Sequence, residues 1–300
     1  MLEQIPSSFK ECKQVRFEED RQGFAYVHLV HSSGVSEAKI YLFGGNIVSW
    51  KVDGAEVLAM RGDFDLLSMD GTKPISGGVP HCFPQFGPGE MQQHGFARNM
   101  MWTVCDAKDT CKTRGDAPSV TIKLLPTEYS REMWNHKFEV LYKVTLMEAD
   151  LHTSLLVINQ QASEEFAFST ALHSYFAVSN IANVEIEGLG REGQKYLDKV
   201  EDAKNPPEKL AEDGALGLTS FTDRVYLDAP PELRVVDTEQ GSALKISSTN
   251  WPEAVVWNPF QEKMNSETFI CVENAVVQQP VTLLPGQSWR AEMSLTRGKL

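Results

Sequence analysis

Between Lys137 and Asn159 the chain alternates apolar and polar positions with a period of two. Phe138, Val140, Tyr142, Val144 and Leu146 interleave with Lys137, Glu139, Lys143 and Thr145. After the polar link Glu148-Ala149-Asp150, the residues Leu151, Thr153, Leu155 and Val157 resume the same rhythm. Successive side chains of a strand point to opposite faces, so the pattern predicts a long antiparallel hairpin with one buried face. Shorter segments of the same character run from Phe24–Val30, Lys39–Phe43, Ile47–Val52 and Glu56–Ala59 through Ser119–Leu125, Phe166–Leu172, Ala254–Trp257 and Phe269–Val272 to Ser288–Leu295. Gly44-Gly45 fits a tight turn between two of them. A helical turn is expected only near Tyr129–Trp134, and Asp202–Leu218, broken by Pro206-Pro207, reads as a long loop. With no internal repeat and no alternation of strand and helix, the expectation is an all-β chain. It is a large sandwich of antiparallel sheets in one domain.

One stretch breaks the rhythm. Lys73–Asn99, KPISGGVPHCFPQFGPGEMQQHGFARN, contains four prolines and five glycines and follows neither the helical nor the strand period. Ile75, Val79, Phe83, Phe86 and Phe96 interleave with these breakers, so the loop is expected to pack down on a core. A rigid irregular loop that carries His94 and Arg98 is suited to binding or catalysis.

Composition narrows the partners. The formal net charge of −13 and the absence of a Lys/Arg-rich block argue against nucleic acid and anionic membrane. An anionic small substrate would need a local cluster of cations. Cys12, Cys82, Cys105, Cys111 and Cys271 are odd in number and irregularly spaced, which points to a reducing compartment rather than a disulfide framework or zinc site. The N-terminus has no apolar signal core and no run is long enough to span a bilayer, so a cytoplasmic protein is expected. Phosphate-loop, dinucleotide, serine-elbow and zinc-helix patterns are missing, and neither cofactor nor metal is expected. A monomer is the default, and nothing in the chain fixes the oligomeric state.

The remaining chemistry lies in isolated titratable groups. His173 in ALHSYF and His94 in QQHGFARN each sit among apolar residues, where a hydrogen-bonded core histidine is the commoner outcome. Glu273 follows Phe269, Ile270, Cys271 and Val272, and a carboxylate ending a buried strand is either paired or held for chemistry. Asp223 beside Arg224 reads most simply as a surface pair. His81 and Cys82 read as packing residues.

Taken together, QHGFARN, ALHSYF, DRVY, VVWNP and CVENA, in this order, resemble the aldose 1-epimerase superfamily, and within it the glucose-6-phosphate 1-epimerase branch. GGNIVSWKVDGAEVLAM, KPISGGVPHCFPQFG and LLPGQSW fit the same branch, so the resemblance extends from about residue 24 to 296. It implies a galactose mutarotase-like β-super-sandwich that interconverts the α and β anomers of a hexose 6-phosphate through the open-chain aldehyde. By the matching motifs Glu273 would be the base and His173 the acid, both in their charged forms. His94, Arg98, Asp223, Lys73, Gln85 and Trp257 would contact the sugar or its phosphate, with the Trp134 region as a rim. The branch carries arginine where Ser76 stands in KPISGG. Loss of that fork removes a contact worth ~1.5–3 kcal/mol, for which Lys73 could substitute as a point charge. Two alternatives therefore stay open: a mutarotase of an unphosphorylated aldose, and a carbohydrate-binding protein without turnover.

Overall fold

The computed structural model describes residues 13–105 and 117–300, so Cys12 and Cys111 lie outside the described residues. Strands Phe138–Leu146 and Asp150–Asn159 pair antiparallel, with Leu151 opposite Leu146 and Val157 opposite Val140. The apolar set of the predicted hairpin is buried throughout. This hairpin belongs to a nine-stranded sheet that runs from Gly214–Gly217 to Thr103–Val104. An eight-stranded sheet runs from Glu208–Leu210 to His81–Cys82, and a five-stranded sheet gathers the segments between Val15 and Glu56. Every pairing between named strands is antiparallel.

One continuous cluster of buried residues joins the three sheets. Each Val, Leu, Ile or Phe fully buried there contributes about 1.5–3 kcal/mol relative to exposure. The two faces of the eight-stranded sheet differ. Leu172, Tyr226, Ala254, Val256, Ile270 and Val272 point into the shared core. Their neighbours in sequence Ala171, Val225 and Val255, with Ala275, form a smaller cluster on the opposite face. Strand parity thus gives the protein a second, concave face, and the Lys73–Asn99 loop lies over part of it.

Gly44 and Gly45 turn with φ of 76° and 61° against the end of that loop; a Cβ on Gly44 would stand 2.9 Å from Arg98 O, and one on Gly45 2.8 Å from the Trp102 ring just beyond it. The loop also supplies the edge strand His81–Cys82, in which Cys82 faces Ala171 and His81 faces Leu172. His81 turns into the core. It stacks on Trp102 at 4.8 Å, meets Tyr142 edge-on at 4.4 Å, and its Nε2 donates to Gly45 O at 3.2 Å.

Three elements differ from the sequence reading. Asp202–Leu218 contains two short strands, Glu208–Leu210 and Gly214–Gly217, each at the edge of a large sheet. Their residues are mostly exposed, so no alternation of apolar and polar positions marks them. Val15–Glu19 is likewise an edge strand. Strand Phe269–Leu283 continues well beyond Val272 and through Pro280. The proline falls within a register shift against Phe166–Leu172, where the missing N–H costs no ladder bond. The helical turn is present as Glu128–Met133, capped by Thr127, whose side chain accepts from Ser130 N–H.

Burial holds His81 neutral, with its pKa down to about 4. An imidazole that titrates at ~6.5 when unfolded then destabilises the fold progressively as pH falls below that value. His81→Phe retains the stacking and removes this proton linkage. Between pH 7 and 4.5 wild type should lose about 2–3 kcal/mol more stability than the variant in urea unfolding. Parallel pH curves for the two proteins would contradict this account.

Candidate active site

Register sets the central pair. Across strand Phe269–Leu283, Leu172 faces Asn274 and Tyr175 faces Cys271. The short break between Phe166–Leu172 and Tyr175–Ala177 therefore leaves His173 opposite Glu273. Its Nδ1 lies 3.3 Å from Glu273 Oε1. The backbone N–H of His173 donates to Pro80 O at 2.9 Å, which ties the break to the central loop. Its ring stacks on Tyr175 at 4.8 Å and meets Trp257 edge-on at 5.8 Å. Asp223 is the register partner of Trp257 on the next strand and shares this face.

These side chains line a cavity of about 320 Å³ together with His94, Arg98, Arg61, Ser76 and Lys199. Arg98 Nε, His173 Nδ1 and Glu273 Oε2 are buried and have no hydrogen-bond partner. These three atoms border the cavity, so each is available to a polar ligand seated there.

Desolvation sets the charge state. Burial pushes the Glu273 carboxyl well above the usual carboxylate range, Asp223 adds to this, and Lys199 and Arg98 oppose it. Burial also holds His173 down to about 3, assisted by the positive charges of Arg98, Arg61 and Lys199. Burial thus disfavours the charged form of both groups, against the attraction that an ion pair would gain across 3.3 Å.

His94 stands in left-handed backbone at φ 66°, and Gly95 follows at φ 69°. A Cβ on Gly95 would lie 2.3 Å from Phe83 O. His94 Nδ1 accepts from Gly87 N–H at 3.2 Å. Burial, then the charges of His173, Arg98 and Lys199, keep this ring neutral with its pKa down to about 2. It is therefore a neutral hydrogen-bond donor through Nε2 rather than an acid. Arg98 donates from Nη2 to Gln93 O at 2.8 Å.

Asp223 sits 3.6 Å from Lys199 Nζ, which lies over the Phe86 ring. Burial raises its carboxyl and Lys199 pulls it back. Arg224 stacks over Tyr196 instead, so the surface pair with Asp223 does not form; adjacent strand residues face opposite ways. Arg61 is gripped by Asp63 through Nε at 2.9 Å and Nη2 at 2.6 Å.

Two expected substrate contacts do not line the cavity. Lys73 is exposed. Gln85 braces its own loop, donating to Gly87 O at 3.1 Å and accepting from Met91 N–H at 3.1 Å. Trp134 packs against Phe83 and Phe166 in the core rather than forming a rim. Conversely, Arg61 and Lys199 were not anticipated. In AMRGDF and YLDKVED they look like surface charges beside acidic neighbours, and only the fold turns them inward.

The sheet architecture is a β-super-sandwich whose cavity holds a buried carboxyl–imidazole pair. The family model described as aldose 1-epimerase matches residues 27–296, and the chain belongs to the aldose 1-epimerase family. It is 35% identical to a protein of Cenchrus ciliaris named "Putative glucose-6-phosphate 1-epimerase", over 86% of this chain and 80% of that one. An Escherichia coli protein of the same name is 31% identical over 81% of each chain. The crystal structure of a Salmonella typhimurium protein titled "putative mutarotase" superposes with a TM-score of 0.83 at 27% identity, covering 97% of this chain and 96% of that one. The chain is thus an epimerase with a galactose mutarotase-like fold. Among the described residues no helix is long and apolar enough to cross a membrane.

Gly95→Ala forces a Cβ into Phe83 O at an unfavourable φ. It should cost more than about 2 kcal/mol in urea unfolding. It should also displace His94 and Arg98, lowering anomer exchange in the protein that remains folded. Wild-type stability and exchange in this variant would contradict the packing described.

Proposed function

We propose that the protein interconverts the anomers of a hexose 6-phosphate, glucose 6-phosphate foremost, by acid–base opening and reclosure of the ring. Glu273 takes the proton of the C1 hydroxyl while His173 delivers one to the ring oxygen as the C1–O5 bond breaks. The aldehyde turns about C1–C2, and closure returns both protons by the reverse route. For this Glu273 must be ionised and His173 protonated in the complex, forms that burial disfavours and their 3.3 Å separation favours. A bound dianion would offset Arg98, Arg61 and Lys199, whose charges disfavour the imidazolium, and would also weaken the support that Arg98 and Lys199 give the carboxylate. His94 Nε2–H would support charge on the ring oxygen, and Asp223 would accept from a sugar hydroxyl. Trp257 would provide an apolar wall.

The observation that carries this reading is the convergence of the Glu273–His173 pair with three cations in one cavity of a strongly acidic chain. The name of the Cenchrus ciliaris relative supports a phosphorylated substrate. So does Arg61, whose backbone N–H donates to Ser76 O at 3.2 Å and which lines the same cavity as Ser76. Arg98, with its buried Nε unpaired, is the best-prepared phosphate ligand. One feature favours the unphosphorylated alternative: Arg61 and Lys199 already hold Asp63 and Asp223.

Exchange spectroscopy between anomers, at equal concentrations of glucose 6-phosphate, glucose and galactose, decides between them. The largest enhancement is expected for glucose 6-phosphate. Arg98→Met should raise its KM about ten- to a hundredfold, the loss of one charge-assisted contact. Equal enhancement of free sugars, insensitive to Arg98, would move the substrate to an unphosphorylated aldose.

A further inference from the structure

The His94 ring is held from behind by two groups. Strand His81–Cys82 places alternate side chains on opposite faces, His81 toward the core and Cys82 toward the site, beside Ala171. Cys82 Sγ lies 3.1 Å from His94 Nδ1. On the same nitrogen Gly87 donates its N–H at 3.2 Å, while His94 N–H returns a bond to Gly87 O at 2.9 Å. This reciprocal pair closes the loop between the two residues, and Phe86 packs edge-on against the ring at 5.3 Å.

We propose that Cys82 is a positioning residue: its thiol and the Gly87 amide together hold His94 Nδ1 as an acceptor and so fix the proton on Nε2. The thiol is fully buried and burial keeps it protonated, so it donates at every working pH. Protonation of Nδ1 would set two donors against a third. Cys82, His173, Arg98 and Lys199 are the titratable or charged groups around this ring, and none accepts a proton from Nδ1 at neutral pH. Nε2–H is left to the cavity; the exposed Gln93 places its amide nitrogen 3.3 Å away, a donor facing a donor, so the Nε2–H tautomer requires that amide to turn its oxygen inward or to yield to a sugar oxygen. The consequence for turnover rests on the proposed role of His94 toward the ring oxygen; the tautomer itself does not.

The test is the long-range ¹H–¹⁵N spectrum of the full-length protein labelled at histidine, with the His94 signals assigned by their loss in His94→Gln. Wild type should show the Nε2–H tautomer unchanged from neutral pH to about pH 5, as its depressed pKa requires. Cys82→Ala should shift Nδ1 and admit the second tautomer. It should lower kcat about three- to tenfold with little change in KM, the size of one weak positioning bond. Cys82→Ser, which restores a donor, should recover both the spectrum and most of kcat. An Nδ1–H tautomer in wild type, or a Cys82→Ala spectrum identical to wild type, would overturn the proposal. A changed spectrum with unchanged turnover would uphold the tautomer lock and instead remove His94 from the proposed mechanism.

Discussion

The carboxyl of Glu273 is the constraint around which the site is organised. It is 1% exposed, lies in the middle of a sheet strand, and leaves one oxygen unbonded. A carboxylate in that position is costly, and burial raises the group's pKa. His173 is placed opposite by the register of strand Phe269–Leu283. Other features of the site maintain that register or modulate the charge of the pair. Tyr175 fixes the imidazole plane by stacking, and Pro80 takes the backbone N–H of His173.

Electrostatics then link binding to chemistry. The chain is strongly acidic overall, yet Arg61, Arg98 and Lys199 meet at the cavity. All three oppose an imidazolium at His173, while Arg98 and Lys199 favour a carboxylate at Glu273. In the proposed mechanism an anion seated among them would offset both effects, so phosphate recognition would act on the acid and on the base together.

Much of this could be read from the sequence, for identifiable reasons. The hairpin from Phe138 to Asn159 declared itself because one of its faces is buried and the other is not. The edge strands at Glu208–Leu210 and Gly214–Gly217 did not, because neither face is buried and periodicity carries no signal there. His94, Arg98, His173, Asp223, Trp257 and Glu273 were marked by short motifs and all reach one cavity. Lys73 and Gln85 were expected beside them but are diverted, one to solvent and the other to bracing its loop. Arg61 and Lys199 were invisible because a lone basic residue next to acidic ones looks like a solvated surface. A sequence reveals which groups meet but not how deeply they are buried, and it is burial that sets the charge of the central pair.

The central claim is that Glu273 as base and His173 as acid open the sugar ring. Anomer exchange of glucose 6-phosphate catalysed by Glu273→Gln, with binding followed separately by titration, tests it most directly. The variant should lose exchange by a factor on the order of 10³ while binding the sugar with little change, as expected when only the proton-transfer group is removed. Exchange at the wild-type rate in a folded, sugar-binding Glu273→Gln protein would contradict the account.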